Sequence, residues 1–221
     1  MSFAARSNWT QQMQDRYADP VYQAYWRPAG DVTPVDAESG SSDAATAMDR
    51  TGVDKVIQTP DSAIYLAQRI RTLSEYNGQV RPPDFSLRES TTDDPDEYRR
   101  LLSSWRSGGD HPSIYAFAIA DATSKRDAID AGLRGLMFID IRELLRAIST
   151  DRLSAANIHG VEPGVRARYY TIHSLRSADV IADEVWTPTI RSAWTDVDLH
   201  QNFPSAAGRD RRDGDASLFD F

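Results

Sequence analysis

The sequence predicts an α/β domain built on a mixed central sheet with helices on its faces. Three observations carry that expectation. Residues 48–71 hold a β-hairpin signal, residues 113–120 and 135–140 are continuous apolar runs of the kind that form strands buried on both faces, and helical segments lie between them. A length of 221 residues suffices for one well-buried domain, placed at 1–200, with a flexible tail at 201–221.

The elements follow in order. Residues 8–26 read as a helix capped by Asn8 or Ser7, with Trp9, Met13, Tyr17 and Val21 recurring at four-residue spacing as an apolar stripe and Pro20 as an interruption. Residues 28–47 read as a polar loop rich in turn formers, its end at 44–48 forming a short helix into the hairpin. Strands are expected at 53–58 and 63–71, which are rich in β-branched and large apolar residues, joined by the turn Thr59, Pro60, Asp61 and Ser62. A third strand follows at 85–89, after the break at Pro82 and Pro83. Residues 94–105 start with a capping Asp94, a first-turn Pro95 and the acids Asp96 and Glu97, and predict a helix. Then come the strand at 113–120, a short helix at 123–132, the strand at 135–140 and an amphipathic helix at 141–150. Beyond them the pattern gives an edge strand at 166–174 and a helix at 177–184, and from Asn202 the composition of a disordered tail.

Composition bounds the function. There is no cysteine, hence no disulfide and no thiolate zinc site; no apolar run approaches the ~20 residues that span a bilayer, and the N-terminus lacks the pattern of a signal peptide. The expectation is a soluble, cytoplasmic protein without membrane contact. Acidic residues are 26 Asp against 7 Glu and basic residues 23 Arg against 2 Lys, with a net charge of −8. An Asp-rich, Lys-poor balance resembles halophilic proteins, whose solvent shortens the Debye length to ~3 Å so that an acidic surface repels itself little. In such salt counterion release contributes little, so an acidic pI neither excludes nor supports a DNA ligand. The sequence contains no P-loop, no dinucleotide-binding glycine turn and no histidines at metal-ligand spacing (His111, His159, His173 and His200 are scattered). Trp26, Trp105, Trp186 and Trp194 read as core or partner-facing anchors.

The hairpin carries the chemistry. A four-residue turn pairs Gln58 with Ala63 and puts Asp54 opposite Ala67, with Tyr65, Ala67 and Arg69 on one face and Leu66, Gln68 and Ile70 on the other. Asp54 and Arg69 are then diagonal neighbours. A carboxylate that holds Mg2+ beside a cation that steadies the phosphate charge is what phosphodiester hydrolysis needs; an ordinary cross-strand charge pair is the plain alternative. Arg88, on the third strand, faces the same cleft or pairs with Asp84 or Glu89 at a solvated edge.

The Asp-bearing first strand, the basic second strand and the order helix, three strands, helix, strand over roughly residues 8–150 resemble the PD-(D/E)xK nuclease superfamily. The segments Gly52-Val-Asp-Lys-Val, Leu66-Ala-Gln-Arg-Ile-Arg, Phe85-Ser-Leu-Arg and Asp96-Glu-Tyr-Arg-Arg also look like an uncharacterised set of viral and plasmid proteins with that core. The resemblance implies Asp54 as a ligand of Mg2+, Arg69 in the lysine position, Glu97 or Asp49 as a second carboxylate, and Arg71 and Arg88 as contacts to substrate phosphates. The middle acid of the motif falls on Ala67, which cannot bind metal. Two functions follow: a metal-dependent nuclease of a virus or mobile element, or a catalytically inactive copy of the fold that binds or assembles.

The last seven residues end a charged, flexible stretch in an apolar cluster, with Leu218 and Phe221 three apart and Phe219 between them. They resemble the peptide by which replication and repair proteins bind the sliding clamp, with Leu218 as the aliphatic and Phe221 as the aromatic position, Asp215 in place of the glutamine and no second aromatic. A tail folded back onto the domain is the alternative.

Overall fold

The computed structural model describes residues 9–26, 30–34, 52–60, 63–90, 97–107, 112–162 and 165–186. Asp49, the acidic start at 94–96, Trp194 and the terminal peptide with Leu218, Phe219 and Phe221 lie outside the described residues.

The first described residues form a helix from residue 9, which passes through a π-helical turn at Gln14–Ala18 and continues as α1, Asp19–Trp26. The π turn, in which the Asp19 amide reaches Gln14 O five residues back, stands just before Pro20. Pro20 has no amide hydrogen to give the preceding turn, and the interruption expected there is a change of pitch within a continuous helix. Trp9, Met13, Tyr17 and Val21 are all buried, as their spacing requires.

Six strands form the central sheet, in this order across it. They are β1 (Asp31–Pro34), β2 (Lys55–Gln58), β3 (Ala63–Thr72), β7 (Ile114–Ala120), β8 (Leu133–Asp140) and β11 (Ile181–Trp186). Only β3 and β7 run parallel; every other neighbouring pair is antiparallel, so the sheet is mixed. Between β3 and β7 the chain makes a small hairpin, β4 (Ser74–Tyr76) and β5 (Gln79–Arg81), then β6 (Phe85–Ser90) and α2 (Glu97–Ser107). Helix α3 (Lys125–Ala131) links β7 to β8, and α4 (Ile141–Ser149) follows β8 directly, capped by the Asp140 carboxylate on the Glu143 amide at 3.0 Å. After α4 come β9 (Asn157–Glu162), β10 (Val165–Tyr170) and α5 (Ile172–Ser177). Strands β6, β10 and β9 form a second, antiparallel sheet with β10 in the middle.

Alternation along β3, β7 and β8 feeds two apolar layers. Leu66, Ile70, Ala116, Ala118, Leu136 and Phe138 face the N-terminal helix, where Tyr25 stacks on Phe138 with centroids 4.3 Å apart. Ala67, Tyr115, Phe117, Ile119, Met137 and Ile139 face the other way, onto Phe85 and Leu87 of β6, Tyr170 of β10 and the inner sides of α4 and α5. No described helix is long and apolar enough to cross a membrane.

Four expectations need correction. Residues 31–34 are a strand inside the segment read as loop, because β1 comes close enough to β2 that a Cβ on Gly30 would meet Gln58 O at 1.9 Å. The third strand exists, but it leads the second sheet rather than extending the central one. Residues 177–184 do not form a helix: the helix lies earlier, at α5, with Thr171 Oγ1 capping the Ser174 amide at 3.0 Å, and residues 181–186 form β11 along β8. Finally, the strand at 166–174 is shorter and central, flanked by β6 and β9.

Candidate functional site

The observed register pairs Gln58 with Ala63 and Lys55 with Leu66, which puts Asp54 opposite Ala67 as the turn length requires. Asp54 is the residue just before β2; it is exposed, its amide donates to Leu66 O at 2.9 Å, and its Oδ2 accepts the Gln68 amide at 2.6 Å. Ala67 is buried against the Tyr115, Phe117 and Phe85 side of the core.

Two residues further along the same face, Arg69 reaches across to Glu97 at the start of α2. One guanidinium nitrogen donates to Glu97 Oε1 and the other to Ser86 O on β6. The Tyr115 hydroxyl donates to the same Glu97 Oε1, and the Arg88 amide donates to Oε2 at 2.9 Å. The guanidinium lies near two rings, 5.8 Å from the Phe85 centroid and 5.6 Å from that of Tyr115. With only 14% and 13% of the side-chain surfaces exposed, this ion pair is largely desolvated, and its hydrogen bonds must offset that cost.

The electrostatics follow from that geometry. Burial works to raise the Glu97 pKa, but Arg69, the Arg88 amide and the Tyr115 hydroxyl outweigh it and hold the carboxyl below its usual range. Burial also works against the Arg69 cation, yet Glu97 beside it keeps the guanidinium above its ordinary value, with a smaller contribution from Asp54. Tyr115 is pushed well up, first by burial and then by the Glu97 charge. Arg71 is the exception. Its side chain reaches solvent, but the surrounding protein, then the like charges of Arg69 and Arg88, pull it down to about 10.

The sequence-predicted residues therefore converge. Arg69 and Glu97 touch, Arg88 touches Glu97 through its backbone, Arg71 and Arg88 stand close enough to repel, and Asp54 borders the group. Of the three arginines only Arg69 pairs its guanidinium with the Glu97 carboxylate. Among the described residues, neither the Arg71 nor the Arg88 guanidinium has an ion pair. Glu89, the possible partner of Arg88, is instead held by Arg166 and Arg168, both at 2.9 Å.

Among the described residues the group does not assemble a magnesium site. Both Glu97 oxygens are committed to donors, Ala67 stands where the motif has its middle acid, and no three His, Asp or Glu side chains among the described residues converge to hold a metal. Elsewhere a concavity of about 350 Å3 lies between Pro82, Arg134, Ile172, Arg176 and Trp186. Its arginines are already paired, Arg134 with Asp121 at 3.2 Å and Arg176 with Glu184 at 2.6 Å. It therefore offers an anion less than the Arg71 and Arg88 pair does.

Sequence reasoning missed Tyr115. Tyr115 was read only as part of an apolar strand, although it is the residue paired with Ala67, so the register already put it beside the site. No family model matches the chain, and neither does any curated protein or solved structure.

Proposed function

We propose that the chain binds the phosphate backbone of a nucleic acid at the Arg69, Arg71 and Arg88 cluster, as a binding copy of a PD-(D/E)xK-like core without metal-dependent chemistry. One observation carries the reading: Arg71 and Arg88 both reach solvent, and among the described residues neither guanidinium has an ion pair. Like charges held together store repulsion that an anion relieves, and a planar guanidinium pair suits a phosphate's oxygens. Arg69, fixed by Glu97 and Ser86, adds charge behind them and forms the rigid back of the site. DNA of a virus or mobile element is the partner this reading names, with the protein acting in assembly or replication. The sliding-clamp peptide at 215–221 is a separate proposal that the site neither needs nor tests.

A metal-dependent nuclease is the second reading, favoured by Asp54, whose exposed carboxylate borders the arginines. Asp49 and Glu97 would complete its acid set. It requires Glu97 to release Arg69.

The two readings separate by experiment. Fluorescence anisotropy with labelled DNA should show binding by the wild type and a loss of ten-fold or more in the Arg71→Ala/Arg88→Ala variant, with Arg134→Ala unchanged. Equal affinities for all three proteins would end the binding proposal. Incubating the same DNA with Mg2+ or Mn2+ at molar KCl, for wild type and Asp54→Ala, tests the other: cleavage abolished by Asp54→Ala would install the nuclease in its place.

A further inference from the structure

We infer that the nucleic acid is single-stranded and that Tyr169 stacks one of its bases. This rests on the reading of the arginine cluster as a phosphate site and names the kind of strand it takes.

The second sheet supplies the platform. Ala167 of β10 pairs with Arg88 on one side and His159 on the other, and Tyr169 pairs with Ser86 and Asn157. Because side chains alternate along a strand, Arg88, His159 and Tyr169 stand on one face, while Phe85, Leu87 and Tyr170 point from the opposite face into the core. Tyr169 is one diagonal step from Arg88, about 7–8 Å by the geometry of paired strands. Its ring is only half-buried, and the exposed His159 meets it edge-on, with centroids 5.9 Å apart.

Basic groups beside a half-buried aromatic ring, on a face where Arg88 and His159 are exposed, are what a single strand requires. Its phosphates meet guanidinium groups, and its unpaired bases stack on the ring without regard to sequence. A duplex keeps its bases inside the stack, so it reaches Arg71 and Arg88 but not Tyr169. DNA and RNA strands share this chemistry.

The test uses the full chain and labelled oligothymidylate, oligouridylate and a duplex of equal length in anisotropy titrations. Tyr169→Leu should weaken single-strand binding roughly ten-fold or more while leaving the duplex unchanged, and Tyr169→Phe should retain wild-type affinity. Tight binding of either single strand meets the proposal, the tighter one naming the sugar. If Tyr169→Leu binds single strands as the wild type does while Arg71→Ala/Arg88→Ala loses them, the stacking inference falls and the phosphate site stands. If the arginine variant also binds normally, both fall. A readout independent of variant folding is photocrosslinking of a 5-iodouracil strand to the wild type. A crosslink on the peptide containing Tyr169 supports the proposal, and crosslinks confined to other peptides overturn it.

Discussion

Replacing Glu97 by glutamine would leave the Arg69 cation without its counter-charge in a nearly closed space. The carboxylate now accepts from Arg69, from the Tyr115 hydroxyl and from the Arg88 amide, and the amide side chain could keep an acceptor for one or two of these. What it cannot keep is the charge. Breaking a buried ion pair from one side costs ~3–5 kcal/mol, and the residual exposure of 14% and 13% puts this pair near the lower end, at about 3 kcal/mol. In a chain of 221 residues that corresponds to a fall of about 6–12 °C in Tm. Removing both partners should cost less than their sum, because methionine at position 69 would lie between the Phe85 and Tyr115 rings without a charge to solvate. The assay is urea unfolding of wild type, Glu97→Gln, Arg69→Met and the double variant, followed by circular dichroism. A Glu97→Gln protein within about 1 kcal/mol of wild type, or single losses that simply add, would refute the description of Glu97 as the anchor of the arginine cluster.

Other consequences follow from the same residues. Lys55, 7% exposed and 2.7 Å from Asp19, should cost about 2–4 kcal/mol as Lys55→Met in a thermal melt, and Asp19→Asn should return part of that loss. Ala67→Asp puts a carboxylate into the layer of Phe85, Tyr115 and Phe117, so it should lower stability by at least about 2 kcal/mol and create no Mg2+-dependent cleavage, both measurable on one preparation. Glu97 and Glu89 both titrate below their ordinary value when folded, Glu89 first through its hydrogen bond from Arg168. Their stabilisation is therefore complete above the unfolded value of about 4.3 and lost as pH falls through the folded pKa; the Tm of wild type should drop more steeply below about pH 4 than that of Glu89→Gln/Glu97→Gln, and parallel curves would contradict this. Tyr115, raised in the fold, works at the other end. Its contribution is lost above about pH 10, where the unfolded phenol ionises first, so Tyr115→Phe should flatten the alkaline limb of the same curve.

The sequence made the hairpin legible because turn length fixes register, and register fixes which side chains share a face. Asp54 opposite Ala67 and Arg69 on the face of Ala67 both follow from residues 59–62 alone. The buried strands β7 and β8 were equally plain, since continuous apolar runs have few other fates. The second sheet was not legible. Strand β6 pairs with β10 across 75 to 85 residues of sequence, and β9, next to β10 in the chain but with Asn157, His159 and Gly160 in it, has too little apolar content to announce itself. The hairpin of β4 and β5 did carry a signal, Asn77 and Gly78 at positive φ of 50° and 73°, but its strands are only three residues each. Strand β11 was mistaken for helix because Arg176 to Glu184 mixes charges at helical spacing; what decided the matter is the free edge of β8, which Val180 onward can pair. In the site itself the sequence nominated Glu97 as a metal ligand. Its engagement by Arg69 depends on where β6 delivers Ser86 and Arg88, a tertiary fact that local pattern does not hold.

The most direct test of the account is the salt dependence of nucleic-acid affinity. Each phosphate neutralised on a single strand contributes about 0.7 to the slope of log K against log salt. Measured over a ten-fold range of KCl, Arg71→Ala/Arg88→Ala should flatten that slope by about 1.4 relative to wild type, two contacts' worth. A slope identical to that of the wild type would mean that neither arginine meets a phosphate.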